Sequence, residues 1–100
     1  MQKGRRKMKN RSILIVDDEV ELLTMLKSIF ERAGYSQVIT ATSGEEAMKL
    51  CTVKMPDILI TDVMMPGMDG FALLQEVREI SKVPVLMLTA RGEAEDRFAG

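Results

Sequence analysis

Apolar and polar residues fall into blocks along this chain, and the repeat within the blocks switches between strand and helix periods. Ser12 to Val16 is short, apolar and β-branched, the pattern of a strand buried on both faces. From Glu19 to Ala33, the residues Leu22, Leu23, Leu26, Ile29, Phe30 and Ala33 recur at helical spacing, and Gly34 stands where a helix C-cap belongs. Gln37 to Ala41 predicts a second strand. Ser43-Gly44-Glu45-Glu46 fits a capping box, and Ala47, Leu50 and Val53 continue one face of the helix behind it. Met55-Pro56-Asp57 ends that helix, and Ile58 to Asp62 predicts the third strand. Pro66-Gly67 suits the central pair of a type II turn. Asp69 caps a predicted helix over Gly70 to Ile80, with Phe71, Leu74, Val77 and Arg78 at i, i+3 and i+4 spacing. Pro84 precedes a fourth strand, Val85 to Thr89, and a further helix is expected to begin near Glu93.

Strands that alternate with helices imply an α/β fold: a parallel sheet with helices on both faces and right-handed crossovers. In such sheets the functional edge lies at the carboxyl ends of the strands. Asp17, Asp62 and Thr89 each close a predicted strand, so parallel strands bring all three to one edge. A carboxylate closing a buried strand is costly unless it has a partner or a task. Taken singly, each residue also has an ordinary structural reading. Asp18 can cap the helix after it, Asp62 can belong to the loop before Pro66-Gly67, and Thr89 can be a β-branched strand residue. Their coincidence on one edge favours a shared site.

Composition narrows the chemistry that such a site can perform. One hundred residues, 46% of them hydrophobic, make one small domain with an aliphatic core, because only four residues are aromatic and none is Trp. With no His, a Cys/His zinc site and His-dependent nucleophilic catalysis are excluded. The lone Cys51 has no partner for an internal disulfide and reads as a small buried apolar residue. Met64, Met65 and Met68 read as gap-filling or partner-surface residues, not soft-metal ligands. Neither a G-x-x-x-x-G-K-[ST] nor a G-x-G-x-x-G segment occurs, so bound nucleotide has no support. No apolar run is long enough to span a bilayer, and no apolar segment of a signal peptide follows the basic start. The expected setting is cytoplasmic. The net charge of −1 hides an asymmetry: residues 1–11 carry six positive charges and no acid, which leaves −7 on the remainder. Residues 1–11 therefore read as a basic, disordered arm, and 12–100 as the folded part. Contact of this domain with nucleic acid or membrane is not expected.

Asp17, Asp18 and Asp62 bring up to three negative charges together, and each pair repels by about 4 kcal/mol at about 4 Å and an effective dielectric near 20. A proton or a cation must relieve this. Oxygen-only ligands favour a hard divalent ion such as Mg²⁺, which also attracts and neutralises phosphate. One carboxylate is then placed to act as a nucleophile and form an acyl phosphate. Thr89 would supply a hydroxyl to a phosphoryl oxygen.

Three segments, Ile13 to Glu19, Asp62 to Gly70 and Pro84 to Ala90, together resemble the receiver domains of bacterial two-component response regulators. The third segment and the helix before it look most like receivers of transcriptional regulators with a winged-helix output domain. The resemblance implies a flavodoxin-like fold with strand order 2-1-3-4. It implies that Asp62 is the phosphoacceptor and that Asp17 and Asp18 bind Mg²⁺ with Asp62 and the backbone carbonyl of Met64. It further implies that Thr89 is the switch hydroxyl and that a phosphohistidine on a sensor histidine kinase is the donor. The domain would then be modified and would not turn over a substrate, so it is not expected to be an enzyme.

The sequence departs from the family after Ala90-Arg91-Gly92-Glu93. The family continues through a fourth helix, a fifth strand and a last helix, with a lysine closing that strand. No lysine follows Lys82 here, and neither Arg91 nor Arg97 sits at the family's lysine position. The expectation is an incomplete receiver whose fourth strand offers an exposed apolar edge for self-association. The competing reading is therefore a poorly phosphorylatable module for protein interaction or dimerisation. A third reading, a Mg²⁺-dependent phosphatase with an aspartyl nucleophile, calls for an acid two residues after Asp62, where Met64 stands.

Overall fold

The computed structural model describes residues 10–88. Four parallel strands form one sheet in the order β2-β1-β3-β4: β1 (Ser12–Val16), β2 (Gln37–Ala41), β3 (Ile58–Asp62) and β4 (Val85–Leu88). The helices between them are α1 (Val20–Arg32), α2 (Gly44–Val53) and α3 (Gly70–Arg78). The two central strands are the most buried, and β1 is buried from end to end. Leu14, Val16 and Leu59 face a core shared with Ala47 and Cys51 of α2 and with Leu73 and Val77 of α3. Ile13, Ile15 and Ile60 face Leu23, Leu26 and Phe30 of α1. The predicted layering of helices on both faces is therefore present. The expected basic arm up to residue 9, the end of the fourth strand at Thr89 and the helix near Glu93 lie outside the described residues.

Local signals set most element ends. After α1, the Gly34 N–H donates to the Glu31 carbonyl at 3.0 Å and the Tyr35 N–H to the Phe30 carbonyl at 3.1 Å, a Schellman motif with Gly34 at φ 108°. Its usual apolar contact is made by the rings of Phe30 and Tyr35, whose centroids lie 5.9 Å apart in an edge-on arrangement. At α3 the Asp69 carboxylate accepts from the Ala72 N–H at 2.8 Å, as a capping residue should. Gly67 has φ 74°, the value demanded of the third residue in a type II turn.

Several sequence expectations are corrected. The buried stripe of α3 is Gly70, Leu73 and Val77, while Phe71 is 51% exposed, because the helix is rotated by the close seating of Gly70. Val53, at the last turn of α2, is 84% exposed, and Cys51 takes the buried position instead. The capping box at α2 is only half formed. Ser43 Oγ accepts from the Glu46 N–H at 3.0 Å, but the Glu46 carboxylate reaches back one residue further, to the Thr42 N–H at 2.7 Å. The helix expected from Glu19 begins at Val20, with Glu19 as an N-cap that makes no side-chain capping bond. β4 is less buried than its apolar run implies: Leu86 is 57% exposed, and among the described residues the strand pairs only with β3.

Gly70 fixes how α3 meets β3. A Cβ there would run into the Asp62 carbonyl oxygen and lie 2.9 Å from Val63 Cα, while the Gly70 N–H donates to the Val63 carbonyl at 3.0 Å. Glycine in a helix is ordinarily less stable than alanine by about 0.5–1 kcal/mol. At this position the sign should reverse. Gly70→Ala is expected to lower the unfolding free energy by about 1–3 kcal/mol through overpacking, as read from the urea midpoint at constant m. An unchanged or raised midpoint would show that the close approach is not rigid.

Candidate functional site

Strand order reverses between β1 and β3: the chain steps from β1 outward to β2, then returns across to β3 and β4. A crevice opens at such a reversal, outside the carboxyl ends of the two strands. Register decides what lines it. β1 and β3 pair from Ile13 with Ile58 to Val16 with Thr61, so the next residues on each strand are Asp17 and Asp62. The structure brings Asp17, Asp18 and Asp62 together, with one carboxylate oxygen of each within 4.8 Å of the others. Asp17 is buried, Asp62 half-buried and Asp18 exposed.

Backbone contacts hold both sides of this cluster. The Asp17 N–H donates to the Ala41 carbonyl of β2 at 3.1 Å, and the Val63 N–H donates to the Leu88 carbonyl of β4 at 2.9 Å. Asp17 Oδ1 accepts the Glu19 N–H at 2.8 Å, so Asp17, and not Asp18, organises the entry to α1. Asp18 is thereby left at the pocket without a capping role.

Electrostatics at Asp17 follow from its position. Burial is the largest influence and pushes its carboxyl above the ordinary carboxylate range. The Glu19 N–H opposes this by stabilising the charged form, and the charges of Asp62, Asp18 and Glu19 push it up again. The site is thus short of positive charge among the described residues that shape this carboxyl. Its donor set is all oxygen, which suits a hard divalent cation.

Of the other predicted residues, Met64 is exposed two residues beyond Asp62, Met65 is buried in the core and Met68 packs against that core. Cys51 is buried, and its thiol is pushed up by that burial. Thr89 lies outside the described residues; the described strand ends one residue earlier, with Leu88 registered against Asp62. Sequence reading missed two contributors. Gly70 reads as a plain helix start, and only the packing shows that it seats against the Asp62 peptide. Asp57 reads as part of a helix break, yet its carboxylate binds Ser12. Equal offsets were the available signal: Ser12 stands five residues before Asp17, and Asp57 five before Asp62. No helix among the described residues is long and apolar enough to cross a membrane.

Comparison with known proteins places this geometry in a family. A probable transcriptional regulator ycf27 of Guillardia theta is 47% identical over 88 residues, covering 88% of this chain and 34% of that protein. The alkaline phosphatase synthesis transcriptional regulatory protein PhoP of Bacillus subtilis (strain 168) is 44% identical over 92 residues, covering 91% of this chain and 38% of that protein. The chain therefore spans little more than a third of the length of these relatives. The solved structure of the chemotaxis response regulator CheY4 of Vibrio cholerae superposes with a TM-score of 0.77 at 35% identity, over 90% of this chain and 77% of that one. Residues 13–100 match the response regulator receiver domain, and with the strand order 2-1-3-4 and the acidic crevice at its switch point, the chain belongs to that family.

Proposed function

We propose that Asp62 accepts a phosphoryl group from a phosphohistidine on a sensor histidine kinase, in a Mg²⁺-dependent reaction, and that the whole protein uses this modification to control transcription in the cytoplasm. The observation that carries the reading is the meeting of three carboxylates, one of them at the end of β3, at the switch point of a receiver-family sheet. The regulatory output is supported by the relatives, which are transcriptional regulators by name.

The chemistry asks little of the chain beyond positioning. A carboxylate oxygen of Asp62 attacks phosphorus, and the new P–O bond forms as the P–N bond to the donor imidazole breaks. The electron pair stays on the ring nitrogen. The chain supplies the nucleophile and the donor supplies the imidazole that this sequence lacks, so the protein is modified and is not a turnover catalyst. Asp17, Asp18, Asp62 and the Met64 backbone carbonyl are the proposed ligands of Mg²⁺, which when bound neutralises charge on the phosphoryl oxygens. Thr89 is the proposed switch hydroxyl.

Incubation with acetyl phosphate and Mg²⁺ should add one phosphate by intact mass, and Asp62→Asn should abolish it. Labelling that persists in Asp62→Asn would refute the assignment.

Asp17 also sets a pH dependence in metal-free protein. Its folded pKa is raised above the unfolded value, so between those two pH values the folded state holds more protons. Its contribution to stability is therefore lost as pH rises through that window. Asp17→Asn should be more stable than wild type in EDTA at neutral pH, and the difference should shrink toward pH 3.5. Urea unfolding across that range measures it; a difference independent of pH would contradict the raised pKa.

A second reading, an interaction module that self-associates, is favoured by the exposure of Leu86 on β4, which lies at the edge of the sheet among the described residues. Sedimentation should then show a concentration-dependent dimer that Leu86→Lys shifts to monomer, while absence of acetyl phosphate labelling on wild type would favour this reading over the first.

A further inference from the structure

The acidic cluster has a counterpart at the other end of the same two strands. Ser12 begins β1, and Asp57 directly precedes β3. Asp57 Oδ2 accepts the Ser12 N–H at 2.7 Å and the Ser12 hydroxyl at 3.4 Å. In return the Asp57 N–H donates to Ser12 Oγ at 3.1 Å and to the Ser12 carbonyl at 3.0 Å. Ser12 is buried and Asp57 is exposed, so these bonds are partly shielded from bulk water.

The need for such a clamp follows from the strands themselves. A half-buried strand sets its own register, because a one-residue slip turns its apolar set to solvent. β1 offers no such signal. All five of its residues are buried, with Ile13 and Ile15 on one face and Leu14 and Val16 on the other. Ile58, Leu59 and Ile60 of β3 are nearly as uniform. A slip between these strands exchanges one aliphatic residue for another, yet it moves Asp17 relative to Asp62 by about 3.3 Å per residue. That displacement is comparable to the span of the whole carboxylate cluster, whose oxygens lie within 4.8 Å.

We infer that Ser12 and Asp57 are positioning residues: their reciprocal hydrogen bonds pin the register of β1 on β3 and so set the spacing of Asp17, Asp18 and Asp62 at the far end. The inference rests on the Mg²⁺-dependent reading above for its functional consequence, and on the strand geometry alone for the register. Asp57 touches neither the metal nor the phosphoryl group. It acts through two strands, each five residues long.

The full chain tests it in two independent ways. Calorimetric titration with Mg²⁺ should show affinity reduced about tenfold or more in Asp57→Ala, the range seen when groups supporting a metal ligand are removed. Asp57→Asn keeps an acceptor for the Ser12 N–H and should restore most of that affinity. Ser12→Ala, which loses only the hydroxyl bonds, should fall between them and guards against an Asp57→Ala protein that fails to fold. Val77→Ala, in the core of α3, should lose stability but keep wild-type Mg²⁺ affinity. Cross-strand nuclear Overhauser contacts between Val16 and Thr61, present in wild type, should weaken or shift in Asp57→Ala. Unchanged affinity and unchanged contacts in folded Asp57→Ala would overturn the inference. Failure of wild type to bind Mg²⁺ would overturn the functional reading instead, and the cross-strand contacts would still decide the register role.

Discussion

Because β1 and β3 run parallel as neighbours at the centre of the sheet, their carboxyl ends meet, and Asp17 and Asp62 have to share one small volume. Every other feature of the site answers to that pairing. It fixes where the crevice opens, since the chain reverses its direction of winding between these two strands. It sets the charge problem, because the chain cannot bring the strands together without bringing the acids together. At an effective dielectric near 20, charges about 4–5 Å apart repel by about 3–4 kcal/mol, and by less where one is exposed, as Asp18 is. The aliphatic packing of β1 and β3 against three helices has to offset this in the metal-free protein.

The proposed function follows from that tension. A pocket stable without a cation would have paired each acid with a base or a set of hydrogen bonds. Here Asp17 has one backbone N–H, from Glu19, and three acidic neighbours. Its raised pKa shows that burial and like charge outweigh that single bond. Removing such a carboxylate should therefore stabilise the empty fold and weaken the site, the usual opposition between stability and activity in a strained pocket.

Much of this was legible in the chain, and most of the exceptions share a cause. Strand and helix order could be read because apolar runs and periodic faces are local properties. The parallel edge could be read because alternation of strands and helices leaves few topologies. Gly34, Ser43 and Asp69 were legible as caps because their partners lie within a few residues. Most of what escaped depended on distant neighbours. The buried stripe of α3 is shifted from Phe71 to Gly70, Leu73 and Val77 because Gly70 lets the helix sit against the Asp62 peptide, which no window of α3 alone encodes. One miss was local: the Glu46 carboxylate accepts from the Thr42 N–H and not from the Ser43 N–H, a difference of one residue that the motif does not resolve. The contact of Ser12 with Asp57 crosses 45 residues. The strand order came from family resemblance, since aliphatic strands of similar length do not state who pairs with whom.

The two ends of the central strand pair divide the labour. At the amino ends, Ser12 and Asp57 hydrogen-bond one another reciprocally. At the carboxyl ends the backbone is held equally well, but the side chains are not. Val63, next to Asp62, donates its N–H to the Leu88 carbonyl and accepts from the Gly70 N–H, so the peptide after Asp62 is bracketed by β4 and α3. A Cβ at Gly70 would displace that bracket. The Asp62 backbone is therefore fixed while its carboxylate remains half-buried and open to a partner. Fixing the main chain while leaving the charge unpaired is what the proposed attack on phosphorus would require, because the entropy of orientation is then spent during folding and not at the moment of reaction. The same constraint that crowds the acids thus also orders Asp62, the proposed phosphoacceptor.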